Sequence, residues 1–262
     1  MIAFSALRAA CAATLGATAL LTAAPAVAQS APRSLDVPYV PTPQVVVDRM
    51  LEIAQVTSTD YVIDLGSGDG RIPVTAAARY GAKAMGVDLN PQRIAEANEN
   101  ARDAKVTDRV TFANQDLFAT EIGEASVLTM YLLPSVNMRL RPRLFDELAP
   151  GTRVVSHAFD MEDWEPDQRE LVDGRSVYLW IIPARVAGTW RVSGTTPMTL
   201  ELEQHHQMLS GTARRAGQAL PITDGRVRGN TVTFTVDGTT YSGTLTQGAI
   251  AGDGGNWHAL RG

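Results

Sequence analysis

The sequence has little cysteine: in 262 residues the single one is Cys11, which lies within the first thirty. A chain cut behind that segment carries no thiol and can form no disulfide, even in an oxidising compartment. Lysine is nearly missing as well. It occurs at Lys83 and Lys105, and the remaining basic residues are arginines. That bias points to no function by itself. An excess of positive charge is also lacking: the formal net charge is −5 at pH 7. This gives no electrostatic basis for nucleic-acid binding. The uncharged run from Ala9 to Ala24 is short for a membrane span of roughly 20 residues.

What is present has two parts. The bulk composition, 45% hydrophobic and 19% charged, is that of an ordinary globular protein. The length suits one large domain or a medium and a small one. The first thirty residues differ. MIAFSALR carries one basic side chain, Arg8; an apolar run of small residues follows; Ala26-Val27-Ala28 then precedes Gln29. This is the layout of a secretory signal peptide cut after Ala28. No twin-arginine pair precedes the apolar run, so the general secretion route fits. The expectation is a periplasmic or secreted protein with no stable membrane insertion after cleavage. The other reading of such a segment is an uncleaved N-terminal anchor.

Residues 29–43 are rich in Pro and Ser and read as an extended arm. From 44 to 185 helical and strand patterns alternate. Val46, Met50, Leu51 and Ala54 recur at helical spacing. YVIDLG, AKAMGVDL, RVTFAN, ASVLTMYLL and TRVVSHAF read as strands, with helices over 71–80, 92–104 and 134–148. Such alternation predicts a Rossmann-like α/β fold, a parallel sheet covered on both faces. Two further strands, near 170–172 and 176–182, have no helix between them and predict an antiparallel hairpin at one edge. From 186 to 262 the helical period disappears. Short alternating runs and Asp-Gly turns predict a small all-β meander or barrel. Apolar-x-Gly recurs there at Gly211, Gly229, Gly243 and Gly252, and glycine inside a strand marks a bulge or a close backbone approach. Trp190 and Trp257 near the two ends read as closing its core.

The loop after the first strand, DLGSGDGR, carries the function. Backbone N–H groups and a helix N-terminus meet there, and glycines let a ligand approach the main chain. A dinucleotide fingerprint needs G-x-G-x-x-G, but the third position is Arg71. Gly66, Gly68 and Gly70 instead make D-x-G-x-G-x-G with Asp64, the form found in S-adenosylmethionine (SAM) methyltransferases. The second strand ends at Asp88, where a carboxylate can accept both hydroxyls of a ribose, or can cap a helix or sit at the surface. Asp116 follows the third strand and can accept an adenine amino group, or sit in a plain turn.

DVPYVPTPQ, IDLGSGDGRI, GVDLNPQRI and SHAFDMEDWEP together resemble an exported bacterial group of class I SAM-dependent methyltransferases. They resemble as well the mitochondrial protein-lysine methyltransferases of the ATP synthase c subunit and the adenine nucleotide translocator; the loop is similar too to that of histone-lysine methyltransferases built on this fold. The resemblance covers Asp36 to about Ala184. It implies a seven-stranded sheet with SAM contacts at Asp64, Gly66, Ser67, Gly68, Gly70, Asp88, Leu89 and Asp116. It also implies that YVPTP folds over the cofactor, with Tyr39 and Thr42 near its methionine end; Tyr39 has a second reading as an anchor for the arm. The chain departs from the mitochondrial enzymes at His157-Ala158-Phe159-Asp160 and in the added C-terminal region.

Methyl transfer from a sulfonium needs alignment, exclusion of water and an unprotonated acceptor, but no metal. Tyr131 and Asp160 are the candidate catalytic residues, the first at the end of the fourth strand, the second able to orient an amine. Phe159 and Trp164 could wall the acceptor pocket; the other reading makes Tyr131 and Phe159 core aromatics and has Trp164 pack a loop. His157 reads as a strand histidine satisfied by hydrogen bonds. His205-His206 does not read as a metal pair, because neighbours on a strand face opposite sides. The expected function is methylation of an accessible lysine on a protein partner. The alternatives are a small or lipid-like envelope acceptor, and an exported binding protein that keeps the fold without catalysis.

Overall fold

The structure, a computed structural model, describes residues 1 and 39–262. The rest of the expected signal segment and the arm up to residue 38 lie outside the described residues.

Helix α1 (Gln44–Ile53) starts on Pro43, whose carbonyl accepts from the Val46 and Val47 amides at 2.9 and 3.0 Å. Strand β1 (Tyr61–Leu65) leads through the glycine loop into α2 (Arg71–Tyr80). Gly70 and Gly81 bracket α2 at φ +75° and +71°, a left-handed conformation that glycine adopts without a steric penalty. Then come β2 (Lys83–Asp88), α3 (Pro91–Asp103), β3 (Val110–Asn114), β4 (Val127–Met130), α4 (Pro134–Glu147), β5 (Arg153–His157), β6 (Gln168–Val172) and β7 (Arg175–Ile181). Helix α3 begins with Asn90 accepting from the Gln92 amide at 2.9 Å and Pro91 in its first turn, a favoured start.

The seven strands run in the order β3-β2-β1-β4-β5-β7-β6. The first five are parallel, and β7 lies antiparallel between β5 and β6. Alternate strand residues feed two apolar layers. Val62, Val127 and Val155 pack with α1 and α2, while Ile63, Leu128 and Val154 pack with α4. Burial on both faces is what a parallel sheet requires. Strand order reverses between β1 and β4, which opens a crevice at their carboxyl ends.

Beyond Ile181 the chain forms a closed antiparallel barrel, in the order β10-β11-β12-β13-β14-β15-β8-β9. Its strands are β8 (Gly188–Gly194), β9 (Met198–His205), β10 (Met208–Arg215), β11 (Gln218–Arg228), β12 (Thr231–Val236), β13 (Thr239–Thr246), β14 (Ala249–Gly252) and β15 (Trp257–Arg261). Trp190, Phe234, Tyr241 and Trp257 fill the interior, as expected of a small barrel. β11 departs from simple alternation for definite reasons. β11 contains Pro221, and its Asp224-Gly225 is a bulge in mid-strand rather than a turn, opposite the irregularity at Gly211 on β10. A Cβ on Gly225 would stand 2.4 Å from the Leu209 carbonyl oxygen. Gly243 and Gly252 are close approaches beneath the Trp257 indole. Gly229 sits in the β11–β12 turn instead of in a strand.

Sheet and barrel belong to one compact unit. Asp167, whose side chain is 3% exposed, accepts from the Ile181 amide at 2.8 Å and from Arg226 of the barrel at 2.7 Å. Gln207, from the β9–β10 turn, donates to the Glu165 carbonyl at 2.6 Å.

Candidate active site

The crevice is floored by the glycine loop. The Gly66 and Ser67 amides both donate to the Val87 carbonyl at 2.9 Å, which clamps the loop onto β2. The Gly68 amide donates to one Asp88 carboxylate oxygen at 3.0 Å, and the Asn90 amide to the other at 2.8 Å. Asp88 is thereby fixed at the carboxyl end of β2, with lone pairs left over for a diol. Ser67 Oγ is buried and has no hydrogen-bond partner among the described residues, yet Ser67 lines the crevice. A buried hydroxyl left this way calls for a ligand atom.

Asp64 lies deepest, 2% exposed, and accepts from Thr129 Oγ1 at 2.7 Å. Burial pushes its carboxyl up to about 7, with the charges of Asp88 and Asp69 adding to the rise against the Thr129 hydrogen bond. A cationic group placed beside it restores the ionised form.

The arm closes the crevice from above. The Tyr39 ring lies directly over Gly68, where a Cβ would come within 2.5 Å of Tyr39 Cε2. Arg93 stacks on the same ring at 4.4 Å, so Tyr39 both anchors the arm and covers the loop. Arg71 ties the arm down by donating to the Thr42 carbonyl at 2.8 Å, while Asp69 holds the other end of its guanidinium. Thr42 is buried and shares a hydrogen bond of 3.1 Å with His157 Nδ1.

His157 is more than a satisfied strand histidine. Its Nε2 has no partner among the described residues. Its ring lies 3.9 Å from that of Tyr131, and burial lowers its pKa to about 4. The ring is therefore neutral at physiological pH and braces Tyr131 against the arm. Tyr131 and Phe159 stack at 6.3 Å and both line the crevice. They lie just past β4 and β5, not in them.

Tyr39, Thr42, Asp64, Gly66, Ser67, Gly68, Asp88, Tyr131 and Phe159 thus come together around one space. Other expected site residues do not line it. Gly70 packs under Phe112 and Ala97, where a Cβ would meet the Phe112 ring at 2.4 Å. Asp116 caps a short 3-10 turn by accepting from the Phe118 amide at 2.9 Å. Leu89 stands beside the crevice, outside its lining. Asp160 is exposed, and its carboxylate accepts from the Glu162 amide at 3.3 Å. It does not line the crevice. Trp164 is fully buried between Phe145 and Trp180 and is a loop anchor. Sequence reasoning missed Arg71 and Arg93 as clamps of the arm; the arginine closing the GDGR loop was the available signal for the first.

The model of the ANTKMT methyltransferase domain matches residues 64–168. A protein-lysine N-methyltransferase of Saccharolobus islandicus is 50% identical over 151 residues, covering 56% of this chain and 94% of that protein. The adenine nucleotide translocase lysine N-methyltransferase of Mus musculus is 36% identical, over 52% of this chain and 58% of its own length. This chain therefore spans little more than half of the mouse relative. A crystal structure of an RNA methyltransferase from Salinibacter ruber in complex with S-adenosyl-L-homocysteine is 53% identical, with a TM-score of 0.55, covering 56% of this chain and 96% of that one.

Proposed function

This chain belongs to the family of SAM-dependent methyltransferases that includes the protein-lysine N-methyltransferases, and on that premise we propose that it methylates the side-chain nitrogen of lysine in a protein. SAM is the cofactor, and it supplies a methyl group that carries its own leaving group. In this reading Asp88, the Gly66–Gly68 backbone and Ser67 hold it, and Asp64 balances its positive charge; their meeting around one crevice supports that.

The observation that carries the lysine reading is the mixed lining of the crevice. Asp64, Asp69 and Asp88 line it together with Arg71 and Arg93. Leu132, Leu133, Tyr131 and Phe159, which follow β4 and β5, add an apolar stretch whose one titratable group is the Tyr131 phenol. An apolar slot of this kind takes an aliphatic chain and strips water from the amine at its end. Desolvation disfavours the ammonium form and frees the nitrogen lone pair for attack. Tyr131 and Phe159 orient the amine, and the His157 ring behind Tyr131 keeps that wall in place. The arm over the loop excludes water. No general base is required, because a lysine freed of its proton reacts directly; the proton leaves to solvent before transfer.

RNA is the second reading, since the Salinibacter relative carries that name. A net charge of −5 counts against it, because phosphate binding is driven by arrays of Lys and Arg. We further place the activity outside the cytoplasm, on the strength of the signal-like residues 1–28; a mature chain beginning at Gln29 by N-terminal sequencing supports that, and an uncut chain opposes it. The acceptor is tested by incubating the protein with methyl-labelled SAM and envelope proteins or total RNA, followed by hydrolysis of each. Label in methyllysine is expected. Label confined to nucleosides, or to another amino acid, contradicts the reading.

A further inference from the structure

We propose that Asp163, His205 and His206 bind a divalent transition cation of the zinc type where the barrel meets the methyltransferase sheet. Asp163 lies in the loop between β5 and β6, and the two histidines close the β9 end of the β9–β10 hairpin. His205 Nε2 stands 3.6 Å from Asp163 Oδ2. The two imidazole rings are 4.2 Å apart. One ligand atom from each of the three lies within 4.8 Å of the others. Ligand atoms around a tetrahedral zinc, with bonds of about 2.1 Å, stand about 3.4 Å apart. The site therefore closes by roughly 1 Å of movement, and Asp163 and His205 are exposed enough to make it.

Sequence patterning argues against such a pair, since neighbours in a strand point to opposite faces. The structure removes that objection. β9 ends at His205, and His206 has φ +51°, a left-handed backbone that a residue with a Cβ rarely adopts. The reversal brings both rings to one side.

The surroundings orient the three ligands. Arg141 donates to Asp163 Oδ1 at 2.5 Å and to the Met161 carbonyl at 3.0 Å. That leaves Oδ2 facing His205, the arrangement of a carboxylate held by an outer partner. The His206 ring lies flat against Phe145, at 5.2 Å and 10°. Gln207 pins the same turn to the Glu165 carbonyl. Two imidazoles and one carboxylate suit Zn²⁺, Co²⁺ or Ni²⁺ better than Mg²⁺ or Ca²⁺, which prefer oxygen alone. The loop that carries Asp163 also carries Phe159, a wall of the crevice. A cation here fastens that loop to the barrel, and so gives the barrel a part in shaping the acceptor side. The site stands apart from the SAM crevice and does not depend on which acceptor is used.

The test is a titration of the untagged chain with Co²⁺, read by visible absorption, and with Zn²⁺, read by calorimetry. One equivalent is expected to bind. His205→Ala and Asp163→Asn should each weaken binding at least tenfold, with far-ultraviolet circular dichroism and SAM affinity unchanged. His258→Ala, which alters an exposed histidine on β15, should leave it intact. Absence of binding overturns the proposal. So does a Co²⁺ affinity that His205→Ala leaves unchanged or that His258→Ala lowers equally.

Discussion

Two residues, Asp64 in the crevice and His157 behind its wall, have their pKa values shifted by burial, the acid upward and the imidazole downward. Asp64 is an acid whose neutral form the fold favours, with a carboxyl raised to about 7. Its unfolded value is about 3.9. The stabilisation from keeping it protonated is present in full below about pH 4 and is lost as pH rises through about 7. Asp64→Asn should therefore raise the melting temperature of the SAM-free chain at pH 8 and change it little near pH 4. A positively charged cofactor pulls the group toward its ionised form. SAM binding by the native protein should then release a proton near neutral pH and tighten between pH 6 and 8. Calorimetry in buffers of different ionisation enthalpy reads that proton directly, and a buffer-independent heat would contradict the assignment. His157, with its pKa lowered to about 4, is neutral between pH 6 and 8 and contributes no such step there. His157→Phe keeps a ring behind Tyr131 but removes the bond to Thr42. The expected loss is about 1 kcal/mol, seen as a several-fold weaker SAM affinity as the arm loosens; an unchanged affinity would show that the bond does not hold the arm. Asp64, Gly66, Gly68 and Asp88 were legible in the sequence because a ligand-binding loop dictates residue type at each position. Where Asp160 points was not legible, because its place after β5 says nothing about where its side chain turns once Ala158 takes φ +68°; it stands outside the crevice lining.

Among the elements, the order and type of the parallel strands and helices were legible, since both faces of the sheet are covered and the periods change cleanly from strand to helix; the ends of β4 and β5 were not, and both strands stop short of the expected Tyr131 and Phe159. Helix α2 is bounded by Gly70 and Gly81 just as its sequence suggests. The barrel was harder. Its bulges at Gly211 and Gly225 satisfy a curvature requirement that has no local hydrophobic signature, so a strand interior looks like a turn. The junction between sheet and barrel is equally invisible in sequence, because Asp167 and Arg226 are 59 residues apart. Asp167 is nearly enclosed while Arg226 is partly exposed. Asp167→Ala strips the Ile181 amide and Arg226 of their acceptor, and should cost about 1–3 kcal/mol in urea unfolding. A change below about 0.5 kcal/mol, the size of an ordinary surface substitution, would mean that this ion pair does not hold the two parts together.

At the scale of the whole molecule, a SAM-binding sheet, an arm that covers it and a barrel docked against its acceptor loop form one unit. The class of fold and the cofactor followed from one glycine loop in its strand-helix setting. The barrel's closure and the meeting of Asp163 with His205 and His206 did not, because both depend on contacts between distant segments. The proposed activity rests on the crevice holding SAM through Asp88, which the Gly68 and Asn90 amides fix in place. The most direct measurement is a calorimetric titration of the native chain and of Asp88→Ala with SAM. The account predicts saturable one-to-one binding that the substitution weakens at least tenfold, about 1.4 kcal/mol. A folded native chain that binds no SAM, or one whose affinity Asp88→Ala leaves unchanged, would contradict it.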